Sequence, residues 1–289
     1  MSQPTDKSTD QATSQKLADE IRQNVRESYA QVAEASNEGD CCGTASSCCG
    51  VSDDAAINTL VSTRLGYSEE DLDKVPEGAD MGLGCGNPRA IASIRPGETI
   101  LDLGSGGGFD CFLAAAETGE SGQVIGIDMT PTMISKARNN AEKGRYNHVE
   151  FRLGEIEHMP VANDAVDVII SNCVINLSPD KKQVFSEAFR VLKPGGRLAI
   201  SDVVASTELP DEIRNDLALY SGCMAGASQI SELEAILQDC GFANVNIAPK
   251  DDSKDFIKDW APGRGVEEYV LSATIEAVKP GGCCGGSCC

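Results

Sequence analysis

Residues 98–110, Glu-Thr-Ile-Leu-Asp-Leu-Gly-Ser-Gly-Gly-Gly-Phe-Asp, constrain the fold of this chain more than any other stretch. Ile100, Leu101 and Leu103 read as a short buried strand, Gly104, Gly106, Gly107 and Gly108 as a turn, and residues 109–116 as the opening of a helix. Glycines let backbone approach a ligand with no Cβ in the way, and a helix N-terminus offers free N–H groups to an anion. The loop therefore reads as a seat for a nucleotide-type cofactor. A dinucleotide fingerprint requires Gly-x-Gly-x-x-Gly or Ala, and here Phe109 stands at the third small position. A second apolar run, residues 123–127, ends in Asp128, whose carboxylate can accept both hydroxyls of a ribose. Strand, glycine loop, helix, strand and acid form a βαβ unit with a ribose anchor. The plainer alternative is an α/β fold with an empty crevice.

The rest of the chain continues the alternation. Apolar residues at Leu17, Ile21, Val25, Tyr29 and Val32 form a helical stripe, a lid or buttress preceded by a polar segment, residues 1–15, expected to be disordered. Helices are expected at 53–65, at the capped start 68–71, and as a turn at 89–94. Residues 80–88 hold three glycines and a proline, so Cys85 lies on a loop just before the first strand. Helices at 131–143 and 179–192 alternate with strands at 148–153, 165–171 and 197–201, with Lys193-Pro-Gly-Gly196 as a sharp turn. Helices at 211–220 and 231–239 flank a glycine-rich segment, and strands at 245–247 and 269–277 close the chain. This order predicts a doubly wound parallel sheet, with ligands outside the carboxyl ends of its strands. Asp102, Asp128, Glu155 and Asn172 all fall at those ends. The expected division is 1–75 (disordered segment, helix and cysteine-pair loop), 76–205 (cofactor domain), 206–279 (substrate-binding and sheet-closing region) and 280–289 (cysteine-rich tail).

With 45 acids against 24 bases, the net charge of −21 repels phosphate backbones and anionic lipid, so neither nucleic acid nor membrane is an expected partner. No run of eighteen apolar residues and no secretory leader are visible. Thirteen cysteines without such a leader predict a reducing, cytoplasmic setting in which thiols bind metals or react. Eight come as adjacent pairs: Cys41 with Cys42, Cys48 with Cys49, Cys283 with Cys284 and Cys288 with Cys289. Of the five singles, Cys111 sits among Phe109, Phe112 and Leu113 and Cys240 at a helix end, both read as structural. Cys173 follows the fourth strand, while Cys85 and Cys223 sit in glycine-rich loops with little apolar company. Three thiols around one crevice make a soft trigonal site. The two histidines, His148 and His158, are assigned no catalytic role.

Asp-x-Gly-x-Gly-x-Gly from Asp102 to Gly108 resembles motif I of class I S-adenosylmethionine (SAM) methyltransferases. Gly-Cys-Gly-Asn-Pro at 84–88, Gly-Ile-Asp-Met-Thr at 126–130, Ser-Asn-Cys-Val-Ile-Asn-Leu at 171–177 and Gly-Cys-Met-Ala-Gly-Ala at 222–227 resemble the arsenite methyltransferases over residues 17–279. That resemblance implies a Rossmann-like doubly wound class I sheet with a cysteine-bearing N-terminal extension and a smaller C-terminal substrate-binding region. It implies SAM as cofactor, seated by Asp102, Gly104, Ser105, Gly106, Asp128, Met129, Glu155, Ile156, Glu157 and Asn172. It implies arsenite bound and methylated on the thiolates of Cys85, Cys173 and Cys223, with a further N-terminal cysteine among Cys41, Cys42, Cys48 and Cys49. Methylated trivalent arsenicals are then further ligands, and thioredoxin or glutathione the reductant. The paired cysteines at both ends read as thiol capture of arsenite or other soft ions. Two rival readings are a thiol-rich metalloid-sequestering protein on an idle fold, and a carbon methyltransferase of quinone or sterol type.

Overall fold

The computed structural model describes residues 7–35 and 54–281. Among the described residues four helices come first, α1 (Lys7–Ala35), α2 (Asp54–Arg64), α3 (Glu69–Asp73) and α4 (Arg89–Ala92). The alternating part follows: β1 (Thr99–Leu103), α5 (Phe109–Thr118), β2 (Gln123–Asp128), α6 (Pro131–Gly144), β3 (Val149–Leu153), β4 (Val166–Asn172), α7 (Lys181–Val191) and β5 (Leu192–Ala205). Then come α8 (Asp211–Arg214), α9 (Leu217–Ser221), α10 (Ile230–Asp239), β6 (Ala243–Lys250), α11 (Lys254–Trp260) and β7 (Val270–Val278).

The strands form one sheet in the order β3-β2-β1-β4-β5-β7-β6, with β7 antiparallel to both its neighbours. Period-two alternation splits the strand residues between two faces. Leu101, Leu103, Ile125, Ile127 and Ile169 pack with Val184 and Phe185 of α7 and Leu233 and Leu237 of α10. Ile100, Val124, Val168 and Ile170 pack with Phe112 and Ala115 of α5 and Ile134 and Ala137 of α6. Both faces are covered, which is why these strands read as continuous apolar runs. Each fully buried large side chain contributes roughly 1.5–3 kcal/mol. A third cluster lies beyond the strand ends and joins Val25 of α1, Cys85, Cys173, Leu177, Leu219, Cys223 and Ile257.

Four local expectations change. Residues 7–15, expected disordered, continue α1. Once later turns dock, each added residue gains a hydrogen bond without a new nucleus. Lys193-Pro-Gly-Gly196 is not a turn ahead of the fifth strand. It lies inside β5 as an irregularity opposite Val166 and Val168, with Gly195 at φ +85°. The helix expected at 211–220 is broken into α8 and α9, because the Asp216 side chain accepts from Ala218 N and Leu219 N and so restarts the helix. Helix α11 was not anticipated. The cysteine pairs at 41–49 and 283–289 lie outside the described residues.

Candidate functional site

The glycine turn joins β1 to α5 directly beneath the strand ends. Gly104 N and Ser105 N both donate to Ile127 O, at 2.7 and 2.9 Å, which folds the turn over β2. At Gly104, φ is +69° and a Cβ would lie 2.4 Å from Val174 Cγ2, so only glycine fits. Asp128 closes the next strand. It accepts from Gly106 N at 3.0 Å and Thr130 N at 2.8 Å, so the acid pins the glycine loop as well as facing the cleft. Burial still pushes its pKa up from the usual carboxylate value. Asp102 is buried and accepts from the Cys111 thiol at 3.2 Å. Burial, then the neighbouring Asp110, push it well up.

Above the turn lies a cleft open to solvent. It is lined by Asp102, Gly104, Ser105, Gly106, Asp128, Met129, Ile156, Glu157, Asn172 and Cys173, all but one of the residues expected to seat a cofactor together with one of the expected thiols. Glu155 is the exception. It does not line the cleft, and its carboxylate pairs with Arg26 Nη2 at 3.1 Å. Glu157 is nearly buried, at 3% exposure, and accepts from Arg22 Nε at 3.1 Å and Ser178 Oγ at 2.8 Å. The lid expected from the helical stripe is present: Arg22, Val25 and Tyr29 of α1 form one wall of the cleft.

Asn172 faces the cleft, but its amide is committed to the Cys85 loop. Its Oδ1 accepts from Cys85 N at 3.0 Å, and its Nδ2 donates to Gly86 O at 2.9 Å and Tyr67 Oη at 3.0 Å. A Cβ at Gly84, where φ is +124°, would lie 2.7 Å from that amide. Asn172 thereby fixes where Cys85 sits.

The three expected thiols converge. Cys85, Cys173 and Cys223 are 1%, 8% and 3% exposed. The Cys173 thiol is in hydrogen-bonding contact with both others, and Cys223 Sγ also donates to Cys173 O at 2.6 Å. All three thiol pKa values are raised. For Cys85 the main cause is burial. For Cys173 the bond from Cys223 lowers it most, but the Cys85 contact and burial outweigh that. For Cys223 the Cys173 contact leads, then burial. Each is a neutral thiol at neutral pH. Cys173 and Cys223 hold left-handed backbone, φ +60° and +64°. Such a conformation costs a non-glycine residue about 1–2 kcal/mol.

Sequence reasoning missed several residues here. Asp202, 1% exposed, directly follows the strand expected at 197–201 and lies three residues short of the end of β5; it has one oxygen within 4.8 Å of both Cys85 Sγ and Cys173 Sγ. It accepts from Ile175 N, Asn176 Nδ2 and Val203 N at 2.7–2.9 Å, and burial pushes it up to about 6. An acid at a strand end was the same signal that singled out Asp102 and Asp128. Tyr67, which donates to Asp110 Oδ1 at 2.7 Å, carried no local signal. Tyr29 was placed on the helical stripe but not at the thiols, where its hydroxyl contacts the Cys223 thiol and lies 3.4 Å from Ser221 O.

Fold and cleft together define a class I methyltransferase domain, and the family model described as a methyltransferase domain matches residues 94–241. An arsenite methyltransferase of Halobacterium salinarum is 54% identical over 263 residues, 89% of this chain and 66% of the relative. The human arsenite methyltransferase is 46% identical over 152 residues, 50% of this chain and 40% of the relative. The crystal structure of an arsenic(III) S-adenosylmethionine methyltransferase from Chlamydomonas reinhardtii superposes with a TM-score of 0.57 at 32% identity, over 76% of this chain and 73% of that one. The chain belongs to the arsenite S-adenosylmethionine methyltransferase family. It spans two-thirds or less of the length of these curated relatives. Among the described residues no helix is long and apolar enough to cross a membrane.

Proposed function

We propose that this chain transfers methyl groups from SAM to trivalent arsenic held by Cys85, Cys173 and Cys223. The carrying observation is the meeting of three thiols from separate loops at the edge of the cleft, two of them on strained backbone. A thiol kept only for packing needs no such backbone, as Cys111 within α5 illustrates. Neutral thiols suit a neutral substrate. Each thiol proton leaves with one hydroxide of arsenous acid as water, so three thiols and As(OH)3 give a neutral trithiolate and three waters. The bound arsenic keeps a lone pair, and the loops hold it beside the cleft. No general base is required, since the nucleophile loses no proton.

The residues present fit the cofactor. Gly104 cannot carry a side chain, and Ser105 Oγ is a buried polar atom with no hydrogen-bond partner among the described residues. Gly104, Ser105 and Gly106 would take its backbone side, Asp128 its ribose, Met129, Ile156 and Glu157 its base, and Asp102 its charged end. When bound, SAM supplies a methyl group activated by its sulfonium. The chain's part is positioning and exclusion of water, with α1 closing one wall.

Methylation of the lone pair takes arsenic to the pentavalent state. Two thiols closing to a disulfide return two electrons to it, and thioredoxin or glutathione resets the pair. Methylated trivalent arsenicals are then substrates in turn. We assign residues 76–205 to the cofactor, 206–279 to arsenic and sheet closure, 1–75 to the lid and a further cysteine among Cys41, Cys42, Cys48 and Cys49, and 280–289 to thiol capture. Arsenic detoxification in the cytoplasm is the role this chemistry serves. The test is incubation of the full chain with arsenite, SAM and a thiol reductant, with arsenic speciation by mass spectrometry. Methylated arsenic is expected. Inorganic arsenic alone, bound but unchanged, would leave the sequestering reading.

A further inference from the structure

We propose that Cys85, Cys173 and Asp202 form a second binding mode of the thiol cluster, a site for a borderline-soft divalent cation such as Zn²⁺ that excludes arsenite by sharing two of its thiols. One ligand atom from each residue lies within 4.8 Å of the other two, and all three residues are buried. A tetrahedral zinc with two thiolates and a carboxylate needs ligand atoms roughly 3.6–3.8 Å apart, so the approach required is at most about an ångström. Cys223 is not part of this triangle; it meets the cluster through Cys173. The two modes therefore share Cys85 and Cys173 and differ in the third ligand.

The surroundings of Asp202 suit a metal ligand. A coordinating carboxylate is itself held by hydrogen bonds. Asp202 Oδ2 accepts one backbone bond, from Ile175 N at 2.8 Å, and keeps a free lone pair. Oδ1 is fixed by Asn176 Nδ2 at 2.9 Å and Val203 N at 2.7 Å. Charge also balances. Zn²⁺ with two thiols and one carboxylate releases two protons and leaves a complex of charge −1. Lys181, whose ammonium donates to Gly226 O at 2.6 Å, sits within electrostatic reach of Asp202 and offsets that charge. Access is from the cleft, which Cys173 lines. Three protein ligands leave the fourth position open to water there. Trivalent arsenic, being softer, prefers Cys223 to a carboxylate oxygen. The third ligand thus discriminates metalloid from divalent metal.

The experiment uses the full chain with the eight paired cysteines changed to Ser and Co²⁺ as spectroscopic probe. One equivalent should bind tetrahedrally, with thiolate-to-cobalt charge transfer, and be displaced by Zn²⁺ and by arsenite. Asp202→Asn should weaken Co²⁺ binding beyond the roughly 10–100-fold that losing a mere partner of a ligand costs, while still binding one equivalent of arsenite, which also reports that it is folded. Cys223→Ser should do the reverse and keep the cobalt spectrum. Asp202→Cys keeps an anionic ligand in place should Asp202→Asn not fold, and should raise the charge-transfer intensity. An unaltered cobalt spectrum in Asp202→Asn or Asp202→Cys, or its loss in Cys223→Ser, overturns the proposal. Failure of arsenite methylation would not touch it, because the cobalt readout is independent of turnover.

Discussion

Cys173 and Cys111 show how one residue type comes to sit in two different settings. Both are buried, but Cys111 lies within α5 and donates to Asp102, whereas Cys173 follows β4 in left-handed backbone and meets two other thiols. Replacing Cys173 or Cys223 by Ser substitutes a hard hydroxyl for a soft ligand. Methylation of arsenite should be abolished while SAM binding, measured by calorimetry, persists. Cys85→Ser should lose arsenite but keep part of its activity on trivalent methylarsenic, which needs only two thiolates. Cys111→Ser keeps a donor toward Asp102 and should retain both activities, at a stability cost of about 1–3 kcal/mol. Full activity of Cys173→Ser on both substrates would exclude the thiolate mechanism. Proton counting gives a second check. The raised thiol pKa values mean neutral thiols at pH 7, so arsenous acid should bind with almost no net proton exchange, seen as equal heats in buffers of different ionisation enthalpy. If the thiols were ionised instead, up to three protons would be taken up as hydroxide is released. As pH rises through the raised pKa values, uptake should appear and grow. The residue types at these positions were legible in the sequence. Asp202 beside two of them was not picked out, because its neighbours there come from other strands and loops.

At the scale of elements, the βαβ unit and its glycine turn fell where the pattern put them, since strand burial, turn and helix start are local requirements. Gly104→Ala tests that turn. The added methyl would meet Val174 and sit at positive φ, so SAM affinity should fall at least about 10-fold while the far-UV circular dichroism stays the same; strain of about 1–3 kcal/mol at such a position sets the scale. Helix α1 is different. Its stripe announced a helix, but not that Arg22 and Arg26 would take the two acids after β3. Arg22→Ala leaves Glu157 nearly buried with Ser178 as its remaining side-chain partner among the described residues. Because Arg22 is itself partly exposed, the cost should be about 1–3 kcal/mol rather than that of a fully buried pair. Chemical denaturation should register it, and limited proteolysis should cut α1 sooner. Unchanged stability and cleavage would show that α1 is held by its apolar stripe alone. Local pattern also misjudged β5, α8 and α9, where the deciding contacts were strand pairing with β4 and a cap from Asp216.

For the whole molecule, the division between core and tail makes one prediction. Deleting residues 282–289 removes four cysteines and none of the described contacts, so methylation at saturating arsenite should persist and only uptake at low arsenite should weaken. Loss of turnover in the truncated chain, measured by arsenic speciation at saturation, would place those thiols in the catalytic cycle. The sequence by itself determined the βαβ unit, the glycine turn between Asp102 and Asp128, and the placing of Cys85, Cys173 and Cys223 on loops around one crevice, because burial and turn conformation are properties of residues and short segments; the antiparallel pairing of β7 was not among them. Only the tertiary structure decided that Asn172 clamps the Cys85 loop, that Glu155 turns from the cleft to Arg26, that α1 brings Tyr29 to Cys223, and that Asp202 faces two thiols. Each of these joins side chains far apart in the chain, and their positions follow from how strands, loops and α1 pack at one rim of the sheet, which no local pattern encodes.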